Sequence, residues 1–175
     1  GPSGIGKNFI ANKIHMQLSG NNPDTFINMS ENLMNETDLL KFSSLHNYFT
    51  IYLNDYENFD KAELINYFNL TKNKKLNASI IIDTKNYIND DPVLNDIDFK
   101  IKLIGINNRK NEIFGIFDHY INTFYKKKFD KNIAIDKEVS TILLNHSWPG
   151  NIFELMNICE LITNKLSIDN QSINS

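Results

Sequence analysis

The chain opens with GPSGIGK and runs straight on into NFIANKIH. Gly1, Gly4, Gly6 and Lys7 fit the phosphate-binding pattern G-x-x-x-x-G-K. In such a loop the glycines let backbone N–H groups turn inward around phosphate oxygens. The lysine supplies a point charge to the terminal phosphates, and the following helix aims its positive N-terminal end at the same place. A glycine-rich string alone could be a flexible tail or a tag remnant. The context argues otherwise: Phe9, Ile10, Lys13 and Ile14 fall at helical spacing, with Ile10 and Ile14 expected on one apolar face. The candidate phosphate-binding set is Gly1, Pro2, Ser3, Gly4, Ile5, Gly6, Lys7 and Asn8. Two departures stand out. Asn8 occupies the place where a Ser or Thr hydroxyl usually binds Mg²⁺, and the strand expected to lead into the loop is missing ahead of Gly1.

Downstream, strand signals alternate with helical ones. A short strand is expected over Thr25–Met29 and a mixed helix over 36–47. Tyr48–Leu53 carries the strongest strand pattern, nearly continuous aromatic and β-branched residues, as in a sheet covered on both faces. A helix over 60–70 has Asp60 as a plausible cap, and a second buried strand is expected over Ala78–Asp83. Phe99–Ile104 alternates and predicts a last strand. From residue 109 the pattern is all helical. Helix 109–128 should bury Ile113, Phe117, Tyr120, Ile121 and Phe124. Helix 136–146 should bury Val139, Ile142 and Leu143, and helix 151–166 should bury Ile152, Leu155, Ile158, Cys159 and Ile162. Strands alternating with helices imply a parallel α/β sheet.

Composition narrows the class. In 175 residues, 41% apolar and 11% aromatic content can build a core, and no run approaches membrane-spanning length. The net charge of −3 does not indicate a broad nucleic-acid-binding face. A single cysteine, Cys159, excludes an internal disulfide and fits a reducing cytosol. His15, His46, His119 and His146 share no ligand spacing, so packing or surface roles are expected of them. Lysine almost wholly replaces arginine, and Arg109 is the only one. Any mechanism needing two arginines from this chain is excluded by counting.

Chemistry in an open parallel sheet is expected at the carboxyl ends of the strands. Asn54-Asp55 and Asp83-Thr84-Lys85 follow the two strongest strands. Asp55 is the acid at the first tip, suited to holding Mg²⁺ or orienting water, with a turn or helix-cap role as the alternative. Thr84 and Lys85 could face a γ-phosphate or simply form a strand-end turn.

Taken in order, these landmarks resemble the AAA+ ATPase domain of sigma-54-dependent transcription activators, the NtrC-like response-regulator family. GPSGIGKNFIANKIH resembles that family's Walker A loop and helix, where Glu usually follows the lysine, so Asn8 is less unusual there. Phe26–Ser30 resembles the PFV-x-VNC strand, and Ile51–Tyr56 sits where the Walker B strand LFLDEI is expected. Ser79–Lys85 resembles the sensor I strand RIIAATN, Ile106–Ile113 resembles LRERKEDI, and WPGNIFEL at 148–155 is very close to WPGNVREL, the start of the sensor II helix. The resemblance covers nearly the whole chain. It implies a P-loop NTPase parallel sheet flanked by helices over 1–107 and a small all-helical lid over 108–175. It also implies ATP and Mg²⁺ as cofactors, self-association, a cytoplasmic location, and receiver and DNA-binding domains beyond this stretch, in a two-component system.

The departures from that pattern concern charge. The Walker B Asp is Asn54 and its Glu is Asp55, so the resemblance assigns Mg²⁺ to Asn54 and Asp55 and catalysis to Asp55. The sensor I Asn is Lys85, with Asn86 one place late, and the sensor II Arg is Phe153. The arginine-finger stretch has shrunk to Leu94–Asp98 without arginine, and the segment between 33 and 50 is too short for the GAFTGA loop that touches sigma-54. An arginine finger alone contributes roughly 10³–10⁵ in rate. The expectation is therefore an ATP-binding regulator module with weak or absent hydrolysis and no sigma-54 remodelling loop. The alternatives are an active ATPase of the same family and a structural or oligomerisation domain that binds no nucleotide.

Overall fold

Five buried residues, Phe49–Leu53, form the central strand of a parallel sheet. The computed structural model describes residues 1–86, 91–95 and 97–172. Strand β1 (Phe26–Met29) and strand β3 (Ala78–Ile82) flank strand β2 (Phe49–Leu53) in the order β1-β2-β3, both pairings parallel. The register sets Met29 beside Leu53 and Leu53 beside Ile82, so all three strands end level. A strand buried throughout needs cover on both faces. Side chains alternate across it. On one face Phe49, Ile51 and Leu53 join a core with Leu39 of helix α2 (Glu36–Leu45) and Leu64 and Tyr67 of helix α3 (Lys61–Asn73). On the other face Thr50 and Tyr52 meet helix α1 (Lys7–Leu18) and Phe26.

Cap chemistry fixes the helix starts. The Asn35 side chain accepts from the Asp38 N–H at 2.9 Å and that of Asp60 from the Glu63 N–H at 3.0 Å. In α1 the buried face is Ala11 and His15, one residue on from the expected Ile10 and Ile14, while Phe9 and Leu18 are exposed. The small Ala11 lets the helix approach the sheet. His15 satisfies its ring by donating Nε2–H to the Asn22 carbonyl at 2.7 Å, with Nδ1 2.9 Å from the Thr50 hydroxyl. A short helix α4 (Pro92–Asn95) follows.

The last expected strand is corrected: no strand forms over Phe99–Ile104 among the described residues. Its alternation finds no sheet to join, and Phe99, Ile101 and Ile104 are exposed. Asp96, in the stretch expected to have lost the arginine fingers, lies outside the described residues.

The chain divides into two compact units: Gly1 with Lys7–Lys102, and Pro2–Gly6 with Leu103–Ser175. The second is helical, with α5 (Lys110–Phe129), α6 (Lys137–Asn145) and α7 (Asn151–Ser172). Its core joins Ile106, Ile113, Phe117, Ile121, Leu143, Trp148, Leu155 and Cys159. Burial pushes the Cys159 thiol up to about 12, so it stays protonated and behaves as a small apolar residue. Trp148 belongs to this helical core and donates its indole N–H to the Leu143 carbonyl at 2.7 Å. Three apolar positions differ from expectation. Tyr125 is buried in α5, whereas Ile142 of α6 and Ile162 of α7 are exposed and border an apolar cavity of about 450 Å³ in this unit.

Candidate functional site

The level strand ends bring Asn54 and Asp83 to the same rim. The Asn54 N–H donates to the Met29 carbonyl at 2.8 Å, and the Asp83 N–H to the Leu53 carbonyl at 3.0 Å. Tyr52 points to the α1 face and stacks on Phe26 at 5.7 Å. Its hydroxyl reaches along the strand, donates to Asp83 Oδ2 and lies 3.3 Å from Asn54 Oδ1. Burial, reinforced by the Asp83 carboxylate, raises the phenol well above its ordinary ionisation range, so it remains a donor. Asp83 Oδ1 accepts the Asp55 N–H at 2.8 Å. Both carboxylate oxygens of a residue only 7% exposed are thus held.

Lys7, the first residue of α1, enters this rim. Its ammonium stands 3.3 Å from Asp83 Oδ1, 3.6 Å from Asp55 Oδ1 and 3.5 Å from the Gly1 carbonyl. Lys85 approaches Asp55 Oδ2 at 3.6 Å. The four side chains form an alternating run, Lys85, Asp55, Lys7, Asp83, with two positive and two negative charges. Asp55 adopts the left-handed region at φ 54°, sparse for a side-chain-bearing residue and commonest for Asn and Asp. Thr84 and Lys85 are tied down on their other side. Glu57 Oε1 accepts from the Thr84 hydroxyl at 2.6 Å, the Lys85 N–H at 2.8 Å and the Asn86 N–H at 3.3 Å. Burial pushes the Glu57 carboxyl up, but these donors outweigh it and hold it below its usual range. The Gly1 amino group donates to the Thr84 carbonyl.

Pro2–Gly6 belongs to the helical unit, where the Trp148–Asn151 turn holds it. Asn151 Nδ2 donates to the Ser3 carbonyl at 2.8 Å and the Phe153 N–H to the Gly4 carbonyl at 3.0 Å. Gly4 has φ 74°, and a Cβ there would lie 2.2 Å from the Gly150 carbonyl oxygen, so only glycine fits. Asn151 itself adopts φ 54° and accepts the buried Ile106 N–H at 3.2 Å. Ile5 is buried, whereas Asn8 is exposed in the first turn of α1. Arg109 is engaged by both carboxylate oxygens of Glu112, through Nε at 3.0 Å and through Nη2.

The structure therefore joins Gly1, Lys7, Asn54, Asp55, Thr84 and Lys85 at the sheet rim and sets Pro2–Gly6 in the helical unit. Three rim residues escaped sequence reasoning as site residues: Asp83, Tyr52 and Glu57. Asp83 ends an expected strand, which was its one available signal; Tyr52 read as part of a buried strand, and Glu57 lies outside every expected strand and helix. Among the described residues no group of three or more His, Cys, Asp or Glu could hold a metal ion by itself. Mg²⁺ at phosphates typically takes one or two carboxylates together with phosphate oxygens and water. The exposed edge of Asp55 beside Asn54 suits that mode, and the Lys7 ammonium suits a phosphate.

Residues 107–174 match the AAA+ ATPase lid domain family. The glycerol metabolism operon regulatory protein of Citrobacter freundii is 36% identical over 75 residues, covering 43% of this chain and 11% of that protein. NtrX from Brucella abortus in complex with ADP superposes with a TM-score of 0.71 at 17% identity, over 93% of this chain and 44% of that one. NtrX in complex with ATP gives a TM-score of 0.72 at the same 17% identity, over 93% and 43%. The chain thus spans under half the length of the proteins it matches. No helix among the described residues is long and apolar enough to cross a membrane. Residues 107–174 are thus similar to AAA+ ATPase lid domains, and the chain as a whole shares the fold of NtrX.

Proposed function

We propose that this chain is the ATP-binding module of an NtrC-like transcription regulator, in which nucleotide tunes assembly and is hydrolysed weakly or not at all. The observation that carries this reading is the Lys7 ammonium, 12% exposed, fixed at the carboxyl ends of three level strands. The GPSGIGK backbone and Lys7 would hold the phosphates, and Thr84 and Lys85 would face the γ-phosphate. Asn54 and Asp55 would hold Mg²⁺, which supplies charge neutralisation to the phosphates when bound. NtrX, of the same fold, was solved with ADP and with ATP, which supports nucleotide as the ligand. Receiver and DNA-binding domains, and a cytoplasmic setting, belong to the same proposal.

Weak hydrolysis follows from the charges around that lysine. Asn54 brings an amide where an acid would anchor metal, and in the sequence Phe153 stands where the family resemblance expects the sensor II arginine. The sole arginine, Arg109, is committed to Glu112. Asp55, the candidate for orienting water, faces two ammonium groups. No sigma-54 remodelling loop is proposed. The same pairing of Lys7 with two carboxylates favours one second reading, a structural domain whose lysine stays an internal counter-ion.

Titration of the chain with Mg-ATP, followed by a phosphate-release assay against Lys7→Ala, decides among these readings. ATP binding lost in Lys7→Ala, with turnover no higher than that control, is the expected result. Absence of any ATP binding leaves the structural reading standing. Turnover well above the control overturns weak hydrolysis.

A further inference from the structure

The two carboxylates at the rim differ in what they keep when Lys7 is drawn to a phosphate. Asp55 retains Lys85 at 3.6 Å. Asp83 keeps hydrogen bonds only from uncharged donors, the Tyr52 hydroxyl and the Asp55 N–H, with the Gly1 ammonium acting on it at longer range. Those donors fix both of its oxygens, so its carboxylate is not free to follow the lysine. At 7% exposure it has little water to replace the lost cation. A buried charge without its partner is strongly unfavourable.

We propose that Asp83 is a positioning residue that competes with nucleotide phosphates for Lys7 and so makes ATP binding depend on a divalent cation. The inference rests on the ATP-binding reading above. In its resting arrangement the run Lys85, Asp55, Lys7, Asp83 is neutral, two ammonium groups against two carboxylates. Phosphates that recruit Lys7 leave Asp83 without its ion-pair contact and close to further negative charge. A divalent cation brought with the phosphates restores the balance, whereas free ATP does not. Asn54, being neutral, contributes nothing to this competition; the charge lies on the neighbouring strand.

The test measures ATP affinity of the whole chain in EDTA and in Mg²⁺ at matched ionic strength, and takes the ratio of the two dissociation constants. Asp83→Asn keeps the shape and removes the charge. It is expected to tighten binding of free ATP about tenfold, the scale of a charge-assisted contact, and to shrink the ratio accordingly. Lys85→Met alters a half-exposed side chain and removes the second cation of Asp55. It is expected to widen the ratio several-fold, because both acids then depend on Lys7. An unchanged ratio in a folded Asp83→Asn protein overturns the proposal. Should circular dichroism show Asp83→Asn unfolded, an unchanged or smaller ratio in Lys85→Met overturns it. No ATP binding by the unaltered chain in either condition refutes the ATP-binding reading itself, and the inference with it.

Discussion

Replacing Tyr52 by Phe removes one hydroxyl from a fully buried ring and leaves everything else in place. The ring keeps its stack on Phe26, and no large cavity opens. The loss is the hydrogen bond donated to Asp83 Oδ2. Bonds to charged groups contribute about 1.5–3 kcal/mol net, and the orphaned partner is buried. Asp83 still has the Asp55 N–H at 2.8 Å and Lys7 at 3.3 Å, which places the expected cost near the middle, about 2 kcal/mol. With a urea slope of about 2 kcal/mol per molar, the unfolding midpoint should fall by about 1 M. Far-UV circular dichroism follows both units. Fluorescence of Trp148, the single tryptophan, reports the helical core and shows whether the two units unfold together. A destabilisation below about 0.5 kcal/mol would mean that the Tyr52 hydroxyl is indifferent to the Asp83 charge, and the account of the rim would fail with it.

Leu155→Ala, at a fully buried position in the helical core, should cost about 3 kcal/mol, read from the Trp148 emission during denaturation. Asn151→Gly preserves the left-handed backbone while removing the side chain that serves Ser3 and Ile106. It should destabilise the helical unit by about 2 kcal/mol in the same assay. Burial pushes the Asp91 carboxyl up, but Lys61 and the Tyr56 hydroxyl, each at 2.7 Å, together with the Val93 and Leu94 N–H groups, bring it down from 3.8 to about 2. A depressed carboxyl stabilises the fold above its ordinary value, so this contribution should disappear as pH falls from about 4 to about 2. In a pH series of melting temperatures, Asp91→Asn should be less stable at neutral pH and show a shallower loss over that window.

Strands β2 and β3 and the helices α5, α6 and α7 were legible because burial leaves a periodic trace. Tyr48–Leu53 is apolar and β-branched almost throughout, and Asp60 and Asp136 stand one residue before helices that begin as their caps imply. Alternation misled at Phe99–Ile104, since a pattern records what a strand would bury and not whether a neighbour exists to pair with it. The face of α1 was displaced by one residue because His15 reads as polar until its two ring partners, Thr50 and Asn22, are known. The rim was half legible. Motif spacing singled out Lys7, and the end of a strand singled out Asp55. Asp83 meets Lys7 directly from far along the chain, and Tyr52 reaches Asp83 across 31 positions, relations that local composition does not carry.

The level ends of the three strands have a consequence for how such a rim can change. Adjacent strands lie about 4.8 Å apart, and a lysine with a long flexible stem reaches the tips of both β2 and β3. Lys7 already does so, meeting Asp55 after one strand and Asp83 after the next. An acid can therefore be relocated sideways along the rim while every core side chain beneath it stays where it is. Electrostatics at the edge of a parallel sheet is in that sense a keyboard of interchangeable positions, played independently of the packing that holds the strands in register.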